Sequence, residues 1–223
     1  MSESSTHSVP DDAHEAIMEA TYRALRSHGY ADLTMQDIAD EAGKSKSLLH
    51  YHYDTKQDLL VAFLEHLLSW FDAKLEEMDA ETPAERLSAL TDRMLPSEDD
   101  EEWERFHRAL LELRTQAPYT DAYREQLRRN KGFLQRRFEE LIEDGIAAGE
   151  FRDVDAEETA RFIMSALDGA RSSRVTLGDD ADQQAVRTGL EEFVYASLRT
   201  DDVATDAAAD GDDGDGSGPE ATE

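Results

Sequence analysis

Between Thr34 and Lys56 the chain reads TMQDIADEAGKSKSLLHYHYDTK, a stretch whose polar and apolar spacing leaves room for little except two short helices with a tight turn between them. Thr34, with Asp37 three residues on, forms a Thr-x-x-Asp capping pattern, and Ile38, Ala39 and Ala42 follow as an apolar face at helical spacing. Gly43 stands where the chain must leave the helix with positive φ. Ser45 caps a second helix running through Leu49 to Tyr53, and Thr55 with Asp58 repeats the capping pattern and opens a third. Two helices this short cannot bury a core alone, so the helix before them has to supply a surface to pack on. The pattern is that of a helix-turn-helix.

Charge placement makes the same case independently. The 223 residues hold 23 basic against 52 acidic side chains, a formal charge of −29, so a cation's position carries information. Lysine occurs at 44, 46, 56, 74 and 131, and three of these five fall within the turn and the starts of the two following helices, with His50 and His52 between them. A basic stripe on so acidic a chain points to a surface that meets phosphate. The tail does not explain the acidity: residues 200–223 hold nine acidic residues and no basic ones, which leaves 23 basic against 43 acidic in the other 199. This balance, with Arg favoured over Lys, looks like the salt adaptation of proteins from salt-accumulating archaea.

In chain order, residues 1–10 are a polar lead-in, and Ala13, Ile17, Ala20, Ala24 and Leu25 form a helical stripe ended by Gly29, with Tyr30 and Leu33 closing a small core. The helix opened at Thr55 continues through Leu59, Leu60, Phe63, Leu64, Leu67, Leu68 and Phe71. Further helices begin at Pro83, near Trp103 and at Tyr119, bounded by Pro96, Pro118 and Gly149. The last two run from about Ala156 to Thr176 and from about Asp182 to Arg199. Their apolar stripes, Ile163, Leu167 and Ala170 on one and Val186, Leu190, Phe193 and Val194 on the other, either form half of a four-helix bundle with a second copy or close the core of their own domain. After Thr200 there is almost nothing to bury, which predicts disorder.

Other chemistries find no support. There is no cysteine, no HExxH, no P-loop and no GxSxG, and no carboxylate pair stands out from the acidic background, so neither catalysis nor a cofactor is expected. His50 and His52 point about 200° apart around a helix and cannot easily share a metal. No apolar run approaches the roughly 18 residues a membrane span needs, and the N-terminus lacks the basic start and apolar stretch of a signal peptide; a cytoplasmic protein is expected.

The segment from Gly29 to Leu60 resembles the DNA-binding head of the TetR/AcrR family of transcriptional regulators. The matching residues are Gly29-Tyr30, Thr34, Ile38-Ala39, Ala42-Gly43, Ser45-Lys46, Leu49 to Tyr53, and Thr55-Lys56 through Leu59-Leu60. The resemblance implies an all-α fold of about nine helices: a three-helix helix-turn-helix head at 11–55, a ligand-binding and dimerisation domain at 56–199, and a disordered tail at 200–223. It implies a homodimer on a palindromic operator in double-stranded DNA, usually a repressor, released by a small hydrophobic or amphipathic effector. Position by position, Lys46, Ser47, Leu48 and His50 would face bases, with Lys46 donating to guanine and Leu48 packing on a thymine methyl. Thr34, Ser45, Tyr51, His52 and Lys56 would hold phosphates or cap the reading helix, and Gln36 matches a position that reads a base in some members. Trp103, Phe106, His107, Leu110, Arg114, Tyr119, Tyr123 and Phe133 lie on the helices that would line the effector pocket.

Three departures qualify the resemblance. Lys44 replaces a small apolar residue, so either its stem snorkels and its ammonium reaches a phosphate or the turn is shifted; His50 replaces a tyrosine and Leu48 a smaller residue. With five basic against ten acidic residues over 11–60, a helical ligand-binding or adaptor protein that no longer binds DNA stands as the alternative.

Overall fold

The computed structural model describes residues 11–77, 80–95, 101–178 and 180–200, and among these the regular structure is helical, with one isolated antiparallel bridge between Phe151 and Arg199. The helices are α1 (Asp11–Asp32), α2 (Met35–Glu41), α3 (Lys46–His52), α4 (Lys56–Glu76), α5 (Pro83–Met94), α6 (Glu101–Gln116), α7 (Asp121–Ala147), α8 (Ala156–Leu177) and α9 (Ala181–Gly189). The last continues into a π-helical segment (Leu190–Tyr195) and a final turn (Ala196–Leu198). The expected lead-in at 1–10, and the expected tail apart from Thr200, lie outside the described residues.

Local chemistry sets most boundaries. Thr34, Thr55 and Thr82 each accept from the backbone N–H three residues on, while the acidic side chain there reaches back to the threonine's own N–H, so three helices start on complete capping boxes. Gly29 breaks α1 with φ 71° and ψ 176°, a conformation open to glycine, and the chain resumes helically for only a few residues.

Two apolar clusters form the core. In the first, Ile17, Met18 and Leu25 of α1, Ile38, Leu49, and Leu59, Leu60 and Phe63 of α4 pack with Phe106, Ala109 and Leu113 of α6 and Tyr123 of α7. The head therefore shares its interior with the body, and α4 serves both. Tyr22 and Phe106 meet ring to ring at 4.5 Å between centroids, and the Asn130 amide donates to the Leu64 carbonyl at 2.9 Å. The second cluster joins Leu87 and Leu90 of α5, Phe138 and Ile142 of α7, Phe151, and the inner faces of α8 and the π segment. There Tyr195 and Thr91 pair hydroxyl to hydroxyl in the interior, and burial raises the Tyr195 phenol's pKa.

This second cluster corrects the expected dimer face. Ile163, Leu167, Ala170 and Leu190 are buried inside the protomer, and Val186 and Val194 pack half-buried against them, so none of the four buried residues is open to a second copy. An apolar stripe marks the side a helix turns to its own core. On the outer surface, Phe162 is 60 % and Phe193 74 % exposed. Phe193, of the residues expected there, is the one that faces outward.

Candidate nucleic-acid interface and effector cavity

The turn between α2 and α3 is closed by its own backbone. Gly43 takes φ 62°, its N–H donates to the Asp40 carbonyl at 3.1 Å, and the Lys44 N–H donates to the Ala39 carbonyl at 2.9 Å. These are the paired bonds of a Schellman motif, with glycine at the left-handed position. Lys44 is exposed, so the turn keeps its register and places the lysine outside, where a small apolar residue would have packed inward.

Ser45 caps α3 by accepting from the Leu48 N–H at 3.2 Å. In α3 itself Leu49 alone is buried; Lys46, Ser47, His50 and Tyr51 are exposed, and Leu48 and His52 are half-buried. Leu49 pins the helix to the head while its remaining circumference faces outward. The Tyr51 and His52 rings meet edge to face at 5.0 Å, and His52 Nδ1 is buried with no hydrogen-bond partner. Gln36 donates to the Asp40 carboxylate at 2.7 Å, a bond it must release to read a base. Thr34 and Asp37 hold each other: the Thr34 N–H and hydroxyl both donate to the Asp37 carboxylate, at 2.8 and 2.7 Å. These bonds, the hydroxyl's first, lower the pKa of Asp37.

Lys56, expected at a phosphate, makes contacts within the head. Its ammonium donates to the carbonyls of Tyr30 at 3.2 Å and Leu33 at 2.8 Å and lies 4.8 Å over the Tyr30 ring. Burial lowers its pKa. Its charge is engaged in the head, where it satisfies carbonyls at the end of α1.

Above the head, a cavity of about 500 Å³ opens between α1, α4, α5, α6, α7 and α8. Trp103, Phe106, His107 and Leu110, four of the residues that the resemblance placed near an effector pocket, line it. Four other residues expected there do not. Tyr119 is 86 % exposed on the surface, and Tyr123 is buried under the head against Tyr30. Phe133 lies beneath the Arg137 guanidinium, and Arg114 faces a separate crevice of about 60 Å³ behind His107 and Leu110. The unforeseen lining comes from other helices: Tyr22, Trp70, Phe71, Arg93 and Arg171. Trp70, on the polar side of α4 and 47 % exposed, was the available signal, since a tryptophan there has little to gain from water.

A helix-turn-helix head whose second helix faces outward, sharing its core with a helical body that holds a side cavity, defines a DNA-binding regulator. Residues 17–63 match the profile of bacterial regulatory proteins of the tetR family, and residues 53–199 match that of the C-terminal part of BetI-type transcriptional repressors. The chain belongs to the TetR family of transcriptional regulators, with a BetI-type C-terminal region. It is 29% identical over 194 residues to the HTH-type transcriptional regulator BetI of Rhizobium meliloti, covering 83% of this chain and 89% of that one. A TetR transcription regulator from Haloarcula marismortui superposes with TM-score 0.75 at 43% identity, over 85% of this chain and all of that one. A transcriptional regulator from Saccharomonospora viridis in complex with choline superposes with TM-score 0.66 at 26% identity, over 82% and 98%. These relatives are regulators and not enzymes, and no described helix is long and apolar enough to cross a membrane.

Proposed function

We propose that this chain is a homodimeric cytoplasmic repressor that holds a palindromic operator and is released when a small amphipathic effector enters the cavity. The observation that carries the reading is the presentation of α3: held by Leu49, it turns Lys46, Ser47 and His50 outward at the end that enters a major groove. Lys46 donates to guanine and Leu48 packs on a thymine methyl, while Lys44, Thr34, Tyr51 and His52 hold the phosphates on either side. Lys56 acts from behind by fixing the head's geometry.

Release runs through α6. One part of this helix supplies Trp103, Phe106, His107 and Leu110 to the cavity, and a later turn supplies Glu112, whose carboxylate accepts from the Tyr30 N–H at 2.8 Å just past the break in α1. An effector that displaces α6 therefore moves the head's attachment, and two heads related by a dimer axis leave the spacing of about 34–36 Å at which they match successive grooves. Phe162 and Phe193 lie at the dimer seam. The choline complex of the Saccharomonospora relative supports a small organic molecule as effector, and the likeness to the Haloarcula regulator supports salt adaptation.

The test is nuclease protection of the DNA upstream of the gene, repeated across KCl concentration. A protected palindrome and a weak or reversed salt slope are expected, since cations taken up between carboxylates and phosphates offset counterion release. A steep loss of binding with salt refutes the salt-adapted mode, and ligand binding without any footprint returns the chain to the non-DNA-binding alternative.

A further inference from the structure

The cavity's aromatic lining suggests at first a cage for an organic cation, but most of those rings already have a cation beside them. Of its five Phe, Tyr and Trp rings, four carry one of the protein's own guanidinium groups. Arg26 lies 5.3 Å over Tyr22, Arg93 lies 5.5 Å over Trp70 and 5.9 Å over Phe71, and Arg174 lies 5.9 Å over Trp103. An incoming ammonium at these rings would meet the repulsion of a tethered cation.

The charges behind the rings lean the same way. Glu102, the acidic residue of the lining, is paired with Arg26. Arg171 lines the cavity and is paired with Asp168, a carboxylate that also faces Arg114 at 3.6 Å and Lys131 at 3.8 Å. Three cations thus share one carboxylate, on a chain with more than two acidic residues for every basic one. Burial lowers the pKa of the Arg171 guanidinium; Asp168 opposes the shift and Arg114 adds to it. Arg93, which also lines the cavity, lies over two of its rings.

Taking the cavity to be the effector site proposed above, we infer that its effector is an amphipathic organic anion, with its apolar part among Trp70, Phe71, Trp103 and Phe106 and its acidic group between Arg171 and Arg93. Such a ligand supplies the carboxylate that the Asp168 cluster lacks. It also draws Arg93 off Trp70 and Phe71, which frees apolar ring surface for the chain of the ligand.

The two tryptophans of the chain, Trp70 and Trp103, both line this cavity, so intrinsic emission reads it directly. Three probes with one alkyl chain and different heads are titrated into the full-length protein: sodium decanoate, decanol and decyltrimethylammonium. Decanoate is expected to bind about tenfold tighter than the other two, and Arg93→Gln to remove about that advantage over decanol. Arg171→Gln should do the same if it folds; Arg93, being exposed at the rim, carries the test if it does not. Tighter binding of decyltrimethylammonium or decanol overturns the anionic class and leaves the cavity as the effector site. No saturable change with any of the three overturns both.

Discussion

Replacing Lys56 by methionine separates a clamp from a phosphate contact. The ammonium makes two bonds to carbonyls, at 3.2 and 2.8 Å, and one ring contact at 4.8 Å. At about 0.5–1.5 kcal/mol for each bond and about 0.5–1 kcal/mol for the ring, the gross loss is about 1.5–4 kcal/mol. Part of this returns, because burial already lowers the pKa of Lys56: the folded head holds the charge at a desolvation cost that methionine does not have. The site is also only half-buried, so water reaches the released carbonyls. Methionine keeps the apolar stem, and the net loss is about 1–2 kcal/mol, or about 2–8 °C in Tm for a chain of this size. Thermal unfolding followed by circular dichroism gives the first number, and operator binding across KCl gives the second. A clamp lowers Tm and leaves the salt slope alone. An unchanged Tm together with a salt slope altered by about one would refute the reasoning and return Lys56 to the phosphates.

Lys46→Ala should weaken operator binding by about 1–3 kcal/mol and relax preference at one base step, measured with a panel of single-base operator variants; unchanged binding contradicts its role. Phe193→Glu should shift the dimer toward monomer by about tenfold or more in sedimentation, whereas Leu190→Glu, inside the protomer, should unfold it instead. Gly145→Ala forces a methyl into the ring of buried Phe151 and should cost about 1–3 kcal/mol, seen as a lower Tm. The Asp37 carboxyl is held below its unfolded pKa by Thr34, so its contribution to the α2 cap is complete above the unfolded value of 3.8 and fades as pH falls through the lowered one. Asp37→Asn should remove that component from an acid titration of stability.

Helix starts, stops and the turn were legible because each is decided within about four residues. Thr34, Thr55 and Thr82 carry their capping partners three positions away, and Gly43 meets the left-handed φ the turn imposes whatever lies around it. The reading helix was legible for the same reason, since one buried Leu49 among polar neighbours implies an exposed remainder.

What the chain alone left undecided depends on residues far apart in it. The stripe of Ile163, Leu167 and Leu190 showed that α8 and the π segment have an apolar side, but periodicity does not say whether a protomer or its partner covers it; packing against Phe138 and Ile142 decides that. Lys56 and Tyr30 are 26 positions apart and Glu112 and Tyr30 are 82, so both contacts exist only once α4 and α6 have docked on α1. The cavity draws Tyr22, Trp70, Arg93 and Arg171 from four different helices, and their shared environment is created by tertiary packing. Composition revealed that cations are scarce here, and the folded chain determined that Arg114, Lys131 and Arg171 meet at Asp168 beside the cavity, because only three-dimensional neighbours can share one carboxylate.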